Sequence, residues 1–238
     1  LLKRLIKISE KAVASKEQYN IWTHEGICFL FARSIVSYAK MAYDNMILGH
    51  YDATFMIIRT IIENNVCLDI IQSYAEKELW KYYLVQSFRN SLLCSGKKLI
   101  DGEKDLLEEM YIEHAIEEEF TKKSRKDDSR KPYAYIEKNY GWTYKINQNF
   151  SFSGLCALID KREYNDFKMM SMYSHGTDIY LKINRSVFMG NIMNMISSIY
   201  VGIYRLVRIY CWDMVLDEFD EVAEEIEDIL YDFLKQYV

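Results

Sequence analysis

A single proline, Pro132, occurs in the 238 residues of this chain, together with only 9 glycines. Apolar residues recur at spacings of three and four almost throughout, and the two-residue alternation of amphipathic strands is nearly absent. So few turn residues argue against a β-sandwich, a β-barrel or a proline-rich disordered protein. Half of the residues are hydrophobic, so a sizeable core can form without disulfides or metals. The sequence therefore predicts an all-α bundle of about seven to nine helices, in a single domain spanning residues 1–238.

Helical periodicity and the signals for helix ends divide the chain into eight helices, each with ends placed to within several residues. The predicted ranges are 2–15, 18–47, 51–73, 75–95, 102–126, 153–175, 186–212 and 215–236. Gly49, Gly96 and Gly176 follow predicted helices, where the left-handed backbone of a C-terminal cap favours glycine. Asp101 and Asp217 are expected at helix starts.

An irregular insertion at about 122–150 is the one real interruption of the helical pattern. It begins with the charge run Lys122–Asp128, contains Pro132, and continues with the aromatic stretch Tyr133–Tyr144. Basic residues followed by exposed aromatics could bind single-stranded nucleic acid by charge and stacking. The favoured interpretation is a solvated helix end followed by a loop whose aromatic side chains fill the core, because aspartates dilute the charge.

Charge and cysteine usage indicate a cytoplasmic protein. The net charge of −5 argues against a protein that coats nucleic acid by bulk charge, although a local basic site is compatible with it. The five cysteines are odd in number, form no C-x-x-C pair and have apolar neighbours. These are features of buried thiols in a reducing compartment.

Two predicted helices near the C-terminus could contact a membrane or a partner protein instead of packing in the core. Residues 186–204 carry no charge and are long enough to span a bilayer. Four polar residues in the middle of this stretch, Asn191, Asn194, Ser197 and Ser198, favour a central core helix and no membrane. The acidic helix at 215–236 keeps an apolar stripe, which predicts docking on the core and leaves a partner-binding helix as the alternative.

Known chemical motifs are missing from the sequence. There is no glycine-rich nucleotide loop, nucleophile elbow or zinc-binding motif. Of the four histidines, none has the spacing of a metal ligand, and His24 and His50 lie near predicted helix ends. His114 and Glu118 stand four residues apart and are expected to form a solvated surface pair. No metal or cofactor is predicted.

The predicted helix 51–73 carries two charged residues on an otherwise apolar surface. Arg59 and Glu63 are four residues apart, within roughly 40° of each other around the helix, and Asp52 shares their stripe. Charges in such surroundings are costly unless they are paired or face a wet cavity. Either a buried Arg59–Glu63 pair fixes helix packing, or the stripe lines a polar pocket in which the guanidinium binds an anion.

A second polar cluster surrounds His175. Gly176 is expected to end a helix, which places His175 in its last turn, where the helix dipole favours the imidazolium. Tyr173, Ser174 and Asp178 add two hydroxyls and a carboxylate. A histidine at a helix end is commonly a cap or a surface residue, but this concentration of polar neighbours makes an acid or an anion contact the competing interpretation.

These residues resemble a known family. Gly49–Ala53 leading into Ile58–Glu63, followed later by Tyr173–Gly176, resembles a prokaryotic family of unknown function that is similar to the HEPN superfamily. The resemblance spans roughly residues 20–210. It implies a helical, often dimeric protein that acts as a metal-independent ribonuclease in defence or toxin–antitoxin systems. Arg59, Glu63 and His175 would then be catalytic, with Tyr173, Ser174 and Asp178 binding substrate.

One departure sets a structural condition on this function. HEPN ribonucleases carry an arginine followed by four to six residues and then a histidine, and no histidine in this chain has an arginine at that spacing. Arg59 and His175 must therefore meet through the fold, within one chain or across a dimer. The expected partners are RNA, a second copy of the chain and an antitoxin protein. The alternative function is a non-catalytic module that binds a partner protein or a nucleotide signal through the acidic C-terminal helix and the loop around Trp142.

Overall fold

The computed structural model describes residues 1–15, 20, 22–93, 98–122, 134–160, 164–168, 171, 185–210 and 217–237. Within these ranges the chain is helical and contains no strand, which confirms the predicted all-α class. The α-helices are α1 (Leu2–Ala14), α2 (His24–Ile47), α3 (Tyr51–Ser73), α4 (Leu79–Leu93), α5 (Asp101–Glu113), α6 (Glu118–Thr121), α7 (Phe152–Ile159), α8 (Arg185–Tyr210) and α9 (Asp217–Tyr237). Residues 164–168 are also helical. Among the described residues, eight helices have seven or more residues, in agreement with the prediction.

Helices α2 and α3 pack side by side at the centre of the bundle, joined by the turn Leu48–His50. The backbone N–H of His50 donates to the carbonyl of Asn45 at 2.8 Å, and that of Gly49 donates to Met46 at 3.1 Å. These two bonds form a Schellman motif, which requires a left-handed residue at Gly49, and its φ is +80°. The predicted cap at Gly49 is confirmed. The other two predicted caps, Gly96 and Gly176, lie outside the described residues.

The predicted helix 102–126 is wrong in its length, because α5 ends at Glu113 and a turn separates it from α6. The backbone N–H of Ile116 donates to the carbonyl of Tyr111 at 2.8 Å, which is again a Schellman motif. Here the left-handed residue is Ala115, with a φ of +49°. Because alanine carries no turn signal, the sequence pattern gave no reason to stop the helix.

The prediction of a solvated pair between His114 and Glu118 is also wrong. His114 is the C-terminal cap residue of α5 and is 8% exposed. Its ring lies edge-on to Trp80 of α4, with 5.9 Å between the ring centroids. The turn that interrupts the predicted helix thus places the imidazole in a packed interface.

Two further predicted helices are shortened by local backbone chemistry. The range 18–47 becomes α2, which begins at His24 because the hydroxyl of Thr23 accepts the backbone N–H of Gly26 at 3.1 Å. This is an N-cap bond. The range 153–175 is interrupted after α7, where Asp160 is extended.

Helix α8 is a core helix, as its four central polar residues predict. It packs against α2 and α3, and Ile199, Ile203 and Leu206 are fully buried. In the part of the chain that the structure describes, no helix combines the length and apolarity needed to cross a membrane.

Helix α9 begins at Asp217, and α5 begins at Asp101, as predicted. The apolar stripe of α9 docks on the core along its first half, which confirms the docking prediction there. Its buried residues are Phe219, Val222, Ala223 and Ile226. Further along, Ile229 is 54% exposed.

The described part of the insertion, residues 134–150, folds into the core. Gln86 of α4 is 3% exposed and donates to the carbonyls of Ile136, at 2.9 Å, and Lys138, while its amide oxygen accepts the backbone N–H of Trp142 at 3.0 Å. The aromatic side chains held in this way are buried, namely Tyr135, Trp142 and Tyr144. The core-filling interpretation is confirmed for these residues, and the Trp142 side chain, which is 2% exposed, is not itself available as a contact surface.

Candidate functional site

Arg59 and Glu63 lie half-buried at the middle of α3, and each meets a different part of the chain. The guanidinium carbon of Arg59 stands 4.5 Å from the centroid of the Phe167 ring. The hydroxyl of Tyr140 donates to Oε1 of Glu63 at 2.6 Å. The central helix therefore brings the insertion and the segment 164–168 to one polar stripe.

The two charges do not form the salt bridge that their spacing suggests. Among the described residues, Arg59 contacts an aromatic face and no carboxylate within 4 Å, whereas Glu63 is held by a phenol. A guanidinium stacked on a ring keeps its five N–H donors around its edge. This arrangement can receive a phosphate or carboxylate from a ligand.

The structure describes only one of the other residues that the sequence pattern singles out. Asp52, in the first turn of α3, is exposed. The predicted catalytic histidine and the predicted substrate-binding residues fall outside the described residues, namely His175, Tyr173, Ser174 and Asp178. Their convergence with Arg59 stays a prediction.

A cavity of about 160 Å³ opens beside Glu63, and we refer to it as the Glu63 cavity. Its floor includes the buried Phe31, Cys67 and Trp142, and Ser87, Asn90 and Asn139 lie exposed at its edge. The other polar residues in the lining are Asn64, Tyr83, Gln86 and Tyr140. Among the described residues that line it, Glu63 is the only charged side chain. The cavity thus favours hydrogen-bond donors or a cation over a phosphate.

Two phenols and a thiol in the Glu63 cavity have raised pKa values, which favour their neutral forms. Burial raises the pKa of Tyr83 to about 12, with smaller increases from Cys67 and Glu63. Burial, followed by the hydrogen bond to Glu63, raises the pKa of Tyr140. Burial and the charge of Glu63 also raise the pKa of Cys67, so this thiol is protonated at neutral pH. A thiolate nucleophile is therefore not the chemistry of this cavity.

A second polar face of α3 was missed by sequence reasoning. Asn65 is 2% exposed, and Asp69 accepts from Arg205 of α8 at 2.7 Å. The sequence signal that could have revealed this face is the set of polar residues in the middle of α8, including Asn194 and Ser197. Within the described ranges, no group of three or more His, Cys, Asp or Glu side chains is placed to hold a metal ion.

A model of a family of unknown function, DUF5677, matches residues 24–188. The chain belongs to this family. The DUF5677 match begins at the first residue of α2, includes all of α3 and extends into α8. It contains Arg59, Glu63 and His175, so both polar clusters lie within the DUF5677 region. No curated protein and no solved structure matches the chain.

Proposed function

We propose that this chain is a HEPN-like effector of a prokaryotic defence or toxin–antitoxin system that cleaves RNA without a metal ion. Arg59 binds the scissile phosphate, and His175 acts as the general acid or base. Tyr173, Ser174 and Asp178 bind the substrate beside it. A homodimer, RNA and an antitoxin protein are the partners in this proposal.

The observation that carries the proposal is the surroundings of Arg59. A half-buried cation is costly to desolvate unless a counter-charge compensates it. Among the described residues, Arg59 has the ring of Phe167 at 4.5 Å and no ion-pairing carboxylate. An incoming phosphate supplies the compensating charge and accepts paired N–H bonds from the guanidinium. In the chain, Phe167 precedes His175 by only eight residues.

The chemistry needs three groups. A base takes the proton from the 2′-hydroxyl, whose oxygen attacks phosphorus, and an acid protonates the 5′-oxygen as the P–O5′ bond breaks. Arg59 stabilises the negative charge that develops on the phosphorane oxygens. The products are a 2′,3′-cyclic phosphate and a 5′-hydroxyl, and no metal enters the reaction.

Glu63 has a positioning role in this proposal. The sequence suggested that Glu63 holds Arg59, but its carboxylate accepts the Tyr140 hydroxyl instead. Through that bond Glu63 fixes the insertion beside Arg59 and keeps a negative charge one helical turn away from it. A Glu63→Gln variant, which keeps an acceptor oxygen for Tyr140, should therefore retain more activity than Glu63→Ala.

Growth and cleavage assays test the proposal. Expression of the wild-type chain in bacterial cells should arrest growth, and Arg59→Ala or His175→Ala should each restore it. Arg33→Ala on α2 and His50→Ala before α3 are matched controls, because both side chains are exposed and lie outside the stripe. The purified wild type should cleave single-stranded RNA in the presence of EDTA and leave cyclic phosphate ends. Equal growth arrest by the wild type and both site variants would refute the proposal.

A non-catalytic sensor module is the second candidate, favoured by the Glu63 cavity. Its lining is rich in amides and neutral hydroxyls, with one carboxylate and no cation among the described residues. Such a lining suits a small donor-rich ligand better than it suits phosphoryl chemistry. If this candidate is correct, the wild type and the Arg59 and His175 variants all leave RNA intact. Asn90→Leu at the cavity edge should then reduce the growth arrest that the wild-type chain causes.

A further inference from the structure

A second cavity, of about 150 Å³, lies between α3, α8 and the segment 164–168, and we refer to it as the α3–α8 cavity. Its lining is mostly polar on the α8 side. The polar residues that line it are Asn65, Asp166, Asn194, Ser197, Ser198 and Arg205. Neither the resemblance to other proteins nor the proposed catalytic residues assign it a role.

Asn65 lines this cavity and carries a buried amide oxygen. Its amide nitrogen donates to the carbonyls of Ile61 and Gly202, both at 3.2 Å. Reversing the amide would place its oxygen against both carbonyls, so the hydrogen bonds fix the orientation. The amide oxygen is buried, and no donor among the described residues forms a hydrogen bond with it. Buried acceptors are nearly always satisfied, so this one indicates a ligand or water that donates to it.

The volume of the α3–α8 cavity limits that ligand to about one ring. A cavity of about 150 Å³ is large enough for a six-membered ring such as benzene when its walls are apolar. Here Ser197, Ser198 and Asn194 replace apolar walls with donors and acceptors, so the ring must carry polar groups at its edge. A pyrimidine base has this size and presents both N–H donors and carbonyl acceptors.

The position of the cavity relates it to Arg59. Ile62, which also lines the cavity, follows Arg59 by three residues, a spacing that puts neighbouring side chains about 5–6 Å apart at Cβ on a helix. On the opposite wall, Asp166 lines the cavity and the next residue, Phe167, stacks on the Arg59 guanidinium. A phosphate on Arg59 would therefore lie beside the cavity that holds the ring.

We infer that the α3–α8 cavity binds the pyrimidine base of a nucleotide, with the Asn65 amide oxygen accepting an N–H of the base. The placement of the phosphate on Arg59 rests on the proposed function, whereas the base site rests on the cavity alone. Proteins that read single-stranded RNA commonly bind unstacked bases through their polar edges. This site would give the chain a preference for pyrimidines at one position of its substrate.

Calorimetric titration of the full chain with cytidine and with cytidine 5′-monophosphate tests the site. Both should bind, and the nucleotide should bind more tightly. Val201→Phe should weaken both by at least about ten-fold, because Val201 lines the cavity and is 47% exposed, so a larger ring there fills the cavity without entering the core. Ile229→Phe on α9 is the matched control, 54% exposed and away from the cavity, and should bind as the wild type does.

Two further variants separate the base from the phosphate. Asn65→Leu removes the acceptor and should weaken the binding of cytidine by about ten-fold. Cooperative thermal unfolding of this variant shows that it is still folded. Arg59→Ala should weaken cytidine 5′-monophosphate and leave cytidine unchanged. The inference is overturned if neither cytidine nor uridine binds the wild type, or if Val201→Phe binds them as well as Ile229→Phe does.

The outcomes also distinguish this inference from the proposed function. If Arg59→Ala and His175→Ala lose toxicity but the chain binds no nucleoside, the ribonuclease proposal is supported and the base site is refuted. If the chain binds nucleosides, Val201→Phe abolishes this binding and no RNA is cleaved, the base site is supported and the ribonuclease proposal is refuted.

Discussion

The crossing of α3 and α8 at Gly202 gives the sharpest stability prediction. Helix α8 approaches so closely here that a Cβ at Gly202 would lie 2.5 Å from Cγ2 of Ile61. The contact is not relieved by a simple rotation, because Ile61 is fully buried and β-branched side chains are stiff at χ1. Replacing Gly202 with alanine should therefore push the two helices apart.

Two opposing effects set the magnitude of this change. Carbon atoms in contact prefer about 3.5–4.0 Å, so the helices must separate by roughly 1 Å. Overpacking of this kind costs about 1–3 kcal/mol, and the shift also stretches the bond from Asn65 to the Gly202 carbonyl, worth about 1 kcal/mol. Alanine offsets about 1 kcal/mol by its better helix propensity. A net loss of about 2 kcal/mol should lower the melting temperature by about 4–8 °C.

Thermal and urea unfolding of the wild type, Gly202→Ala and Gly102→Ala measure the effect. Gly102 is the matched control, because it lies exposed in α5 with no atom within 4 Å of its added Cβ. Gly102→Ala should be neutral or more stable by up to about 1 kcal/mol. Combining Gly202→Ala with Ile61→Ala should cost less than the sum of the two single changes, since Ile61→Ala removes the clashing atom. If Gly202→Ala is as stable as the wild type, the close crossing is wrong.

Three other predictions follow from local contacts. Gly49→Ala should lower the free energy of unfolding in urea by about 1 kcal/mol, and Ala115→Gly should raise it by up to about 1 kcal/mol, because both residues have left-handed φ values. Changes of the same sign in the two variants would contradict this. Tyr140→Phe should lose about 1–2 kcal/mol with its bond to Glu63, whereas Tyr231→Phe, at a 60% exposed side chain, should not change stability. Hydrogen bonds from Lys145 and Tyr144 lower the pKa of Glu117 below 4.5, so they stabilise the fold above that pH and are lost as the pH falls through the lower folded value. The acid limb of a pH–stability curve should therefore be flatter in Glu117→Gln, and an unchanged limb would count against this contribution.

The sequence predicts a helix end well where the residue type itself favours the backbone conformation of the turn. Gly49 marks the end of α2 because a glycine tolerates the left-handed backbone that the Schellman motif needs. Ala115 closes α5 with the same hydrogen bonds. The sequence pattern does not predict this helix end, because alanine is the strongest helix former. The turn after α5 also places His114 against Trp80, a contact that no local pattern reveals.

The candidate site was only half predictable for a related reason. Charge within an apolar helix singles out Arg59 and Glu63, since that pattern is local. Their partners are distant in the chain: Tyr140 lies 77 residues after Glu63, and Phe167 lies still further along. The spacing of four residues left two alternatives open, a pair between the two charges or a polar pocket, and tertiary contacts give each charge its own partner.

The separate partners have a chemical consequence. If Glu63 neutralised Arg59, a phosphate would have to displace a carboxylate that the same helix carries. With Glu63 engaged by Tyr140 and Arg59 stacked on Phe167, the guanidinium keeps its charge for a ligand while both side chains remain fixed. Helix α3 thus presents a cation, a carboxylate and the Asn65 amide on adjacent parts of its surface, each oriented by a different segment of the chain. In the proposed function, these separate groups would bind the phosphate and the base of one nucleotide at different points, as cleavage at a chosen position of RNA requires.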